Sequence, residues 1–383
     1  MSTLPKKILR SILIFAAVVV GMWVIVSGWG GRVNPHTWAL PAVLGLTYPA
    51  ALACCLILLV PALLSRTWKA VMALIIAALA TWPAFRVNIP LKGGNEIADS
   101  TRTFTVLTYN VMSFDSYYVP EDTSSTMRYV LDTDADLVVL QEASLGPKDF
   151  TDMPATLPLK EELQRKYPYH SHGYHDLIIL SRYPYSVHED STLRNGIGTN
   201  GSGEFHTYAK AFDIDMPDGH NLRIIDLHLQ SIGLSASDKQ AYRNLTHLDS
   251  VQSRAHMSQM RHSLYNKLAA AFRRRALEAQ QLRRFIDRSG KNVIVCGDFN
   301  DTPASYVYWT VRGDDLDDAF AHCGRGYTHT FNSDLMLFNI DHILYRGDMK
   351  AVNIRRDKVG TSDHYPQVVT FEWISSSQSS EAH

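Results

Sequence analysis

The amino-terminal part of this chain contains long apolar stretches, and they restrict what the chain can fold into more than any other feature. The first stretch, Ser11 to Trp29, carries no charged residue. As a helix it is long enough to cross a hydrocarbon core of about 30 Å. Because only a helix satisfies all backbone hydrogen bonds of a single segment inside lipid, the sequence predicts a membrane helix here.

Two further apolar runs follow before residue 86. The run at 38–64 contains Pro41, Pro49 and Pro61. Neighbouring membrane helices can satisfy the carbonyls that a proline frees, so these prolines predict kinks and do not exclude a span. Tryptophans near the ends of the runs are typical of interface anchors. The prediction is a membrane region over residues 1–91 with three transmembrane helices, at 11–29, 38–64 and 70–85.

A cleaved secretory signal is the competing interpretation of the first run, because Lys6, Lys7 and Arg10 precede it. The run is longer than a typical signal core, lacks a small-x-small exit and is followed by more apolar sequence, so we expect an anchor. Arg66 and Lys69 lie between the second and third runs. The positive-inside rule then places the amino terminus in the cytoplasm. Three spans predict a multi-pass membrane protein with the rest of the chain on the non-cytoplasmic side.

The remainder of the chain has the composition of one large domain, predicted at residues 103–374 after a polar linker at 92–102. The tail at 375–383 has too few apolar side chains to pack and is expected to be disordered. The formal net charge of −1 neither favours nor excludes a charged partner such as nucleic acid or a membrane surface. Three of the four cysteines fall in apolar or strand-like runs, so no disulfide framework is expected.

Short β-rich runs alternate with helical patterns in this domain, and a helical insertion without strand pattern occupies residues 234–289. Arginines crowd this insertion, at Arg273, Arg274, Arg275, Arg283 and Arg284. Such a run is usually a solvated helix face, and the alternative is a contact surface for an anionic substrate.

Strands are predicted at 103–109, 136–141, 176–181, 207–214, 221–229, 292–296, 340–345 and 367–373, and helices at 126–133 and 159–165.

One predicted strand, Asn292 to Cys296, leads into the sequence GDFND at 297–301. Asp298 and Asn300 lie two residues apart, so both side chains leave the same face if the strand direction continues. A carboxylate and an amide beside a glycine are suited to binding a metal or to orienting a water molecule. The alternative interpretation is an ordinary turn with its own backbone hydrogen bonds.

Other predicted strands also end in groups that bind a metal or move a proton. Polar strand ends are common, so one instance has no weight, but oxygen ligands together with histidines are what a hard cation and acid–base chemistry need. The groups are Asn110, Gln141-Glu142, Asp226 with His228, Asp298 with Asn300, Asp341, and Asp363-His364.

In order, these motifs are TYN at 108–110, LQE at 140–142, LSRYP at 180–184, DLHLQS at 226–231, GDFND at 297–301, IDHI at 340–343 and SDHYP at 362–366. Together they resemble the DNase I-like endonuclease/exonuclease/phosphatase superfamily, and the amino-terminal spans resemble its membrane-anchored bacterial members. The resemblance implies a four-layer α/β/β/α sandwich, an α/β fold, with the active site at one end of two packed sheets.

The same resemblance implies a metal site and a set of catalytic residues. Mg²⁺, with Mn²⁺ as a possible substitute, would be held by Glu142, with Asn110 and Asp363 near it. A cation that keeps several waters suits so sparse a ligand set.

The resemblance also implies five catalytic residues, each with its own role. His364 would be the general base or a clamp on the phosphate and would be oriented by Asp341. Asp298 would orient or deprotonate water, Asn300 would bind a phosphate oxygen, and His228 would contact the phosphate or protonate the leaving group.

The expected function is therefore a membrane-anchored, Mg²⁺-dependent hydrolase of phosphate esters, a phosphodiesterase or phosphatase, acting on a lipid-linked or other envelope substrate. A nuclease is the alternative, but Ala143-Ser144 follows the Gln-Glu pair where many nucleases of the superfamily carry a basic residue. A catalytically silent binding protein is disfavoured because the motif acids and histidines are present. A transporter is disfavoured because the first two apolar runs contain no charge.

Overall fold

A computed structural model describes residues 3–94, 96–97, 99–115, 125–143, 159–171, 176–190, 193, 209–232, 254–333 and 336–374. The predicted tail and the first part of the predicted insertion, 234–253, lie outside these residues. The chain divides into two compact units. The first contains the described residues of Met1–Ile89, Ile232–Ala276 and Thr302–Thr310, and the second those of Pro90–Ser231, Leu277–Asp301 and Val311–His383.

The first unit is helical and packs around small and apolar side chains such as Ala17, Ala51 and Leu74. Its amino-terminal helices are α1 (Thr3–Trp29), α2 (Leu40–Gly45), α3 (Tyr48–Leu64), α4 (Trp68–Ala80) and α5 (Trp82–Asn88). Hydrogen bonds between helices add to this packing: Nε1 of Trp23 donates to Thr47, and the Tyr48 hydroxyl donates to Thr81.

Among the described residues, one helix, over Pro5–Arg32, is long and apolar enough to cross a membrane by itself. The three predicted spans are thus not confirmed as three long helices. Prolines are the physical reason for these divisions, because Pro41, Pro49 and Pro83 each occupy the first turn of a new helix. The second run divides into α2 and α3, and Pro61 lies inside α3. The third run bends by 71° between α4 and α5, where Pro83 follows Thr81 and Trp82.

The second unit is an α/β sandwich of two six-stranded sheets, in agreement with the predicted fold class. The strands described are β1 (Thr103–Asn110), β2 (Leu137–Gln141), β3 (Tyr169–His170), β4 (Ile178–Ser181), β5 (Tyr185–His188), β6 (Ala209–Asp215), β7 (Asn221–His228), β8 (Val293–Asp298), β9 (Asp317–Asp318), β10 (Phe331–Ser333), β11 (Met336–Phe338), β12 (Asp341–Arg346), β13 (Met349–Arg356) and β14 (Gln367–Trp373). The first large sheet has the order β13-β14-β1-β2-β4-β3, and the second has the order β5-β6-β7-β8-β12-β9. Strands β10 and β11 form a separate two-stranded sheet.

Apolar side chains from both sheets interdigitate between them, among them Phe104 and Val139 of the first sheet and Ile224 and Ile294 of the second. The strands alternate, so the opposite face of the first sheet packs on helices outside it through residues such as Met127. The remaining α-helices among the described residues are α6 (Ser125–Thr133), α7 (Lys160–Lys166), α8 (Arg254–Arg288), α9 (Tyr306–Arg312) and α10 (Ala319–Cys323).

Each sheet contains one parallel pair of central strands, β1 with β2 and β7 with β8. In the first pair Asn110 is opposite Gln141, and in the second His228 is opposite Asp298. Because parallel strands end at the same edge of a sheet, the residues that follow each pair emerge side by side.

Candidate active site

The candidate site is built from the carboxyl ends of these two parallel pairs. Asn110 and Glu142 come from the first sheet, and His228 and Asp298 come from the second. The antiparallel strand β12 begins opposite Asp298 with Asp341. Two sheets packed face to face thus place groups from distant parts of the sequence at one edge.

The backbone departs from the extended conformation where the strands end. Glu142 and Asn300 have φ angles of 53° and 50°, in the left-handed region that non-glycine residues seldom adopt. Gly297 has a φ of +127°, and a Cβ placed on it would lie 2.1 Å from the backbone oxygen of Leu227. Such turns redirect the side chains that follow the strands, and a conformation of this kind is frequent at functional sites.

Asn110 links two acidic side chains of the site. Its Nδ2 donates to Oε1 of Glu142 over 3.0 Å and to Oδ2 of Asp298 over 3.1 Å. Its Oδ1 accepts from the backbone N–H of Met112. Asn110 therefore fixes the two carboxylates relative to each other across the sheets.

The side chains of His364 and Asp341 form a pair. Nδ1 of His364 lies 2.9 Å from Oδ2 of Asp341, and both side chains are buried. Nε2 of the same ring lies 3.7 Å from Oδ2 of Asp298. The Thr330 hydroxyl oxygen accepts from the backbone N–H of Asp341 and so helps to hold this carboxylate.

His228 forms a second pair, with Asp176, which the sequence analysis did not identify as a site residue. Nδ1 of His228 lies 2.7 Å from Oδ2 of Asp176, just before β4. Nε2 of His228 lies 3.7 Å from Oε1 of Glu142 and 3.8 Å from Oδ2 of Asp298. The only sequence signal for Asp176 was its position at the start of a strand, which does not distinguish it from many other acids.

Burial and neighbouring charges set the protonation of these groups. Burial favours neutral imidazole, but the hydrogen bond to Asp176 and the charges of Asp298, Asp176 and Glu142 raise the pKa of His228 to about 9. In the same way, the negative charges of Asp341 and Asp298 outweigh burial and raise the pKa of His364 to about 10.

The pKa values of the buried acids move in opposite directions. Burial raises the pKa of Asp298 to about 6, although the cationic histidines oppose this effect. Burial also disfavours the ionised form of Asp341, but the charge and hydrogen bond of His364 lower its pKa overall. At neutral pH the site thus contains two imidazolium groups facing ionised carboxylates.

The donor set fits a hard cation. Glu142, His228 and Asp298 have ligand atoms within 4.8 Å of one another, and Asp298, Asp341 and His364 form a second such group among the described residues. The carboxylate oxygens are the ligands that Mg²⁺ prefers. The Glu142 side chain is 36% exposed, so that an ion with bound water has access to it.

The other predicted site residues lie nearby but have different contacts from those expected. Asp363 belongs to neither group of metal-competent side chains in the described part of the chain, although its charge contributes to the raised pKa of His364. Nδ2 of Asn300 donates to the carbonyl of Leu229, and its backbone N–H donates to Oδ1 of Asp298. Asn300 thus supports the loop and the orientation of Asp298.

A family model described as "Endonuclease/Exonuclease/phosphatase family" matches residues 107–364, which is more than half of the chain. The chain belongs to this family. A second model, described as "Domain of unknown function (DUF8431)", matches residues 10–88. A comparison with curated proteins finds no match.

Several solved structures are similar to this chain. D. rerio TDP2 complexed with a single-strand DNA product is 16% identical, with a TM-score of 0.46 over 72% of this chain and 100% of that chain. The endonuclease/exonuclease/phosphatase from Beutenbergia cavernae is 17% identical, with a TM-score of 0.44 over 71% of this chain and 72% of that chain. The human Nocturnin catalytic domain with bound sulfate is 16% identical, with a TM-score of 0.44 over 71% of this chain and 94% of that chain.

Proposed function

We propose that this protein is a membrane-anchored, Mg²⁺-dependent hydrolase of phosphate esters. The observation that carries the proposal is the convergence of two Asp–His pairs on Asp298, beside the Glu142 carboxylate. In such a buried site the cationic histidines can bind an anionic ester, and the carboxylate can accept a proton.

Glu142 would hold the cation, with Asn110 and Asp363 near it. When bound, Mg²⁺ stabilises negative charge on the phosphate oxygens and on the leaving oxygen. The protein's own contribution is to keep the carboxylates in place before the ester arrives, which Asn110 does through its two hydrogen bonds.

Asp298 would orient the attacking water and accept its proton, since its carboxylate is buried and ionised at neutral pH. His364, held by Asp341, would stabilise the negative charge on the phosphate. His228, held by Asp176, would donate a proton to the leaving oxygen. The raised pKa values of both histidines favour these cationic roles over that of a general base.

We further propose that the helices before residue 89 cross the membrane as three spans: α1, α3 and the bent pair of α4 and α5. Support comes from large apolar side chains that these helices expose, for example Phe15, Ile57 and Leu79. An apolar surface of this extent is unfavourable in water and favourable in lipid. With the basic residues on the cytoplasmic side, the catalytic unit lies outside the cytoplasm.

A lipid-linked or other envelope phosphoester is the substrate that membrane anchoring favours. The predicted basic face of α8 gives less support than expected, because Arg275 is fully buried and Arg283 pairs with Asp287 and Asp315. Arg273 and Arg284 are exposed. Near an anionic surface each exposed cation contributes about 1 kcal/mol to binding.

A hydrolysis panel tests the proposal. The full-length protein in detergent is assayed with Mg²⁺, with Mn²⁺ and with a chelator on a generic phosphodiester, a phosphomonoester, anionic phospholipid vesicles and duplex DNA. We expect turnover of a phosphate ester that the chelator abolishes. Preference for DNA would support the nuclease alternative, and inactivity on every substrate under both metals would favour a binding protein of the same fold.

A further inference from the structure

The segment Thr302–Thr310 follows the GDFND motif directly and belongs to the first unit, together with the amino-terminal helices. Its Ala304 is 1% exposed and lies in the same apolar cluster as Ala17 and Leu74. The segment also contains the first part of α9. The polypeptide therefore passes from the catalytic motif straight into the helical core of the first unit.

A glycine lets the loop after α1, residues 30–39, touch this segment through its backbone. The loop begins with a single 3₁₀ turn at Gly30–Arg32. A Cβ on Gly31 would lie 2.4 Å from the carbonyl oxygen of Ala304 and 2.6 Å from that of Ser305. No side chain fits into so small a space, so the close approach of the two backbones requires glycine at this position.

Side chains of the same loop also contact the segment. The guanidinium of Arg32 lies over the ring of Trp309, with its Cζ 4.2 Å from the ring centroid. A cation in this position is attracted by the negative face of the ring. Nδ2 of Asn34 donates to the hydroxyl of Tyr306 over 3.4 Å and joins residues 272 positions apart. The loop therefore holds the segment by backbone packing, by a cation–π contact and by a hydrogen bond.

Only Phe299–Asp301 separate this segment from the catalytic Asp298. The backbone N–H of Asn300 donates to Oδ1 of Asp298, and the carbonyl of Asp301 lies 2.9 Å from Nε2 of His342. Three residues span at most about 10 Å even when fully extended. So short a connection has little slack, and a displacement of the segment is transmitted along the chain to the catalytic motif.

We propose that loop 30–39 holds the segment Thr302–Thr310 and thereby sets the positions of Asp298 and Asn300. Gly31 and Arg32 are positioning residues, because they act through the segment and not on the ester. The membrane region contributes to the catalytic site in this way, besides holding the protein at the bilayer. The effect on turnover rests on the proposed function, whereas the hold of the loop on the segment does not.

Steady-state kinetics of the full-length protein in detergent tests the positioning role. We expect Gly31→Ala to lower kcat about tenfold or more with KM nearly unchanged, because the added Cβ displaces the segment and leaves the ester-binding histidines in place. Gly21→Ala is the matched control in the same unit, since its Cβ would lie 3.4 Å from that of Ala77, an ordinary contact. Its kcat should stay within about twofold of the parent.

A second pair of variants covers the case in which Gly31→Ala does not fold. Arg32→Gln removes the cation over Trp309, and we expect kcat to fall about three- to tenfold. Arg32→Lys keeps a cation at this position, so it should retain most of the parent activity. A kcat in Arg32→Gln equal to that of the parent, or a loss in Arg32→Lys as large as that in Arg32→Gln, would overturn the positioning role of Arg32.

Hydrogen–deuterium exchange measures the hold of the loop on the segment without any substrate. In Gly31→Ala and Arg32→Gln we expect faster exchange of the amides at 297–310 and unchanged exchange in β1, whereas Gly21→Ala should match the parent. Unchanged exchange at 297–310 in both variants would overturn the proposal. Inactivity of every protein, the parent included, together with faster exchange at 297–310 would count against the proposed hydrolase and support the hold of the loop on the segment.

Discussion

Asp298 is the side chain around which the candidate site is arranged, because three other side chains approach the same oxygen. Nδ2 of Asn110 lies 3.1 Å from Oδ2 of Asp298, and Nε2 of His364 and of His228 lie 3.7 and 3.8 Å from it. The Asp298 side chain is only 2% exposed. A carboxylate so enclosed by donors and cations keeps its orientation when a substrate binds, which is what preorganised catalysis requires.

Glu142→Gln should abolish metal-dependent turnover without unfolding the protein. The substitution preserves size and removes the charge that holds the cation, so we expect kcat to fall about 100-fold or more. Glu162→Gln is the matched control, because Glu162 has a similarly exposed side chain and pairs with Arg128 at the surface. Steady-state kinetics across a range of Mg²⁺ concentrations measures the effect. Equal activity of the two variants would remove Glu142 from the metal site.

Asp176→Asn should lower turnover through His228. A hydrogen bond to a charged group contributes about 1.5–3 kcal/mol, which corresponds to about 10–100-fold in rate. Because Asp176 acts by orienting His228, the double variant Asp176→Asn/His228→Ala should be no slower than His228→Ala alone. Additive losses in kcat would show that the two residues act independently.

The strands that end in site residues were easier to predict than the elements that connect them. Strands β1, β2, β7, β8 and β14 match apolar runs in the sequence, because buried central strands have a strong apolar pattern. Strand β13 (Met349–Arg356) was missed because its apolar/polar alternation is interrupted at Ala351-Val352, where its register with β14 shifts. The pairing of Asp176 with His228 was missed for a different reason: it joins residues 52 positions apart and leaves no local pattern.

Gly297→Ala should damage β8 at the point where the strand enters the site. A Cβ at this position would lie 2.1 Å from the Leu227 oxygen, so the parallel pair of β7 and β8 must separate to accept it. Gly219→Ala is the matched control, because Gly219 also has a positive φ but nothing within 4 Å of an added Cβ. We expect Gly297→Ala to cost about 1–3 kcal/mol more in free energy of unfolding, as measured by thermal or denaturant unfolding. Equal losses would show that the strands can separate freely.

At the scale of the whole molecule, one helix among the described residues is long and apolar enough to span a membrane, and the number of spans is a proposal. The bend between α4 and α5 and the shortness of α3 are compatible with membrane helices only if neighbours satisfy the backbone groups that the breaks expose. The fully buried Thr81 hydroxyl does this in part, since it donates to the carbonyl of Ala78 at the break.

Protease added to intact spheroplasts should digest the catalytic unit and leave the amino terminus protected. This outcome follows from an odd number of spans and from the basic residues around the first one. Tags at the two ends of the full-length chain report the fragments on a blot, and detergent-permeabilised spheroplasts show that both ends are cleavable. Protection of the carboxyl-terminal tag in intact spheroplasts would reverse the proposed orientation.

The pairing of β1 with β14 has a consequence for how the protein is made. β1 is the first strand of its sheet to leave the ribosome and β14 is the last, and the register joins Thr103 to Glu372. The edge of β1 that pairs with β14 therefore has no partner strand until translation is almost finished. Contacts so distant in sequence form slowly, and an exposed strand edge invites pairing with other chains. Nascent copies of this protein should consequently depend on chaperones or on slow translation more than their final stability suggests.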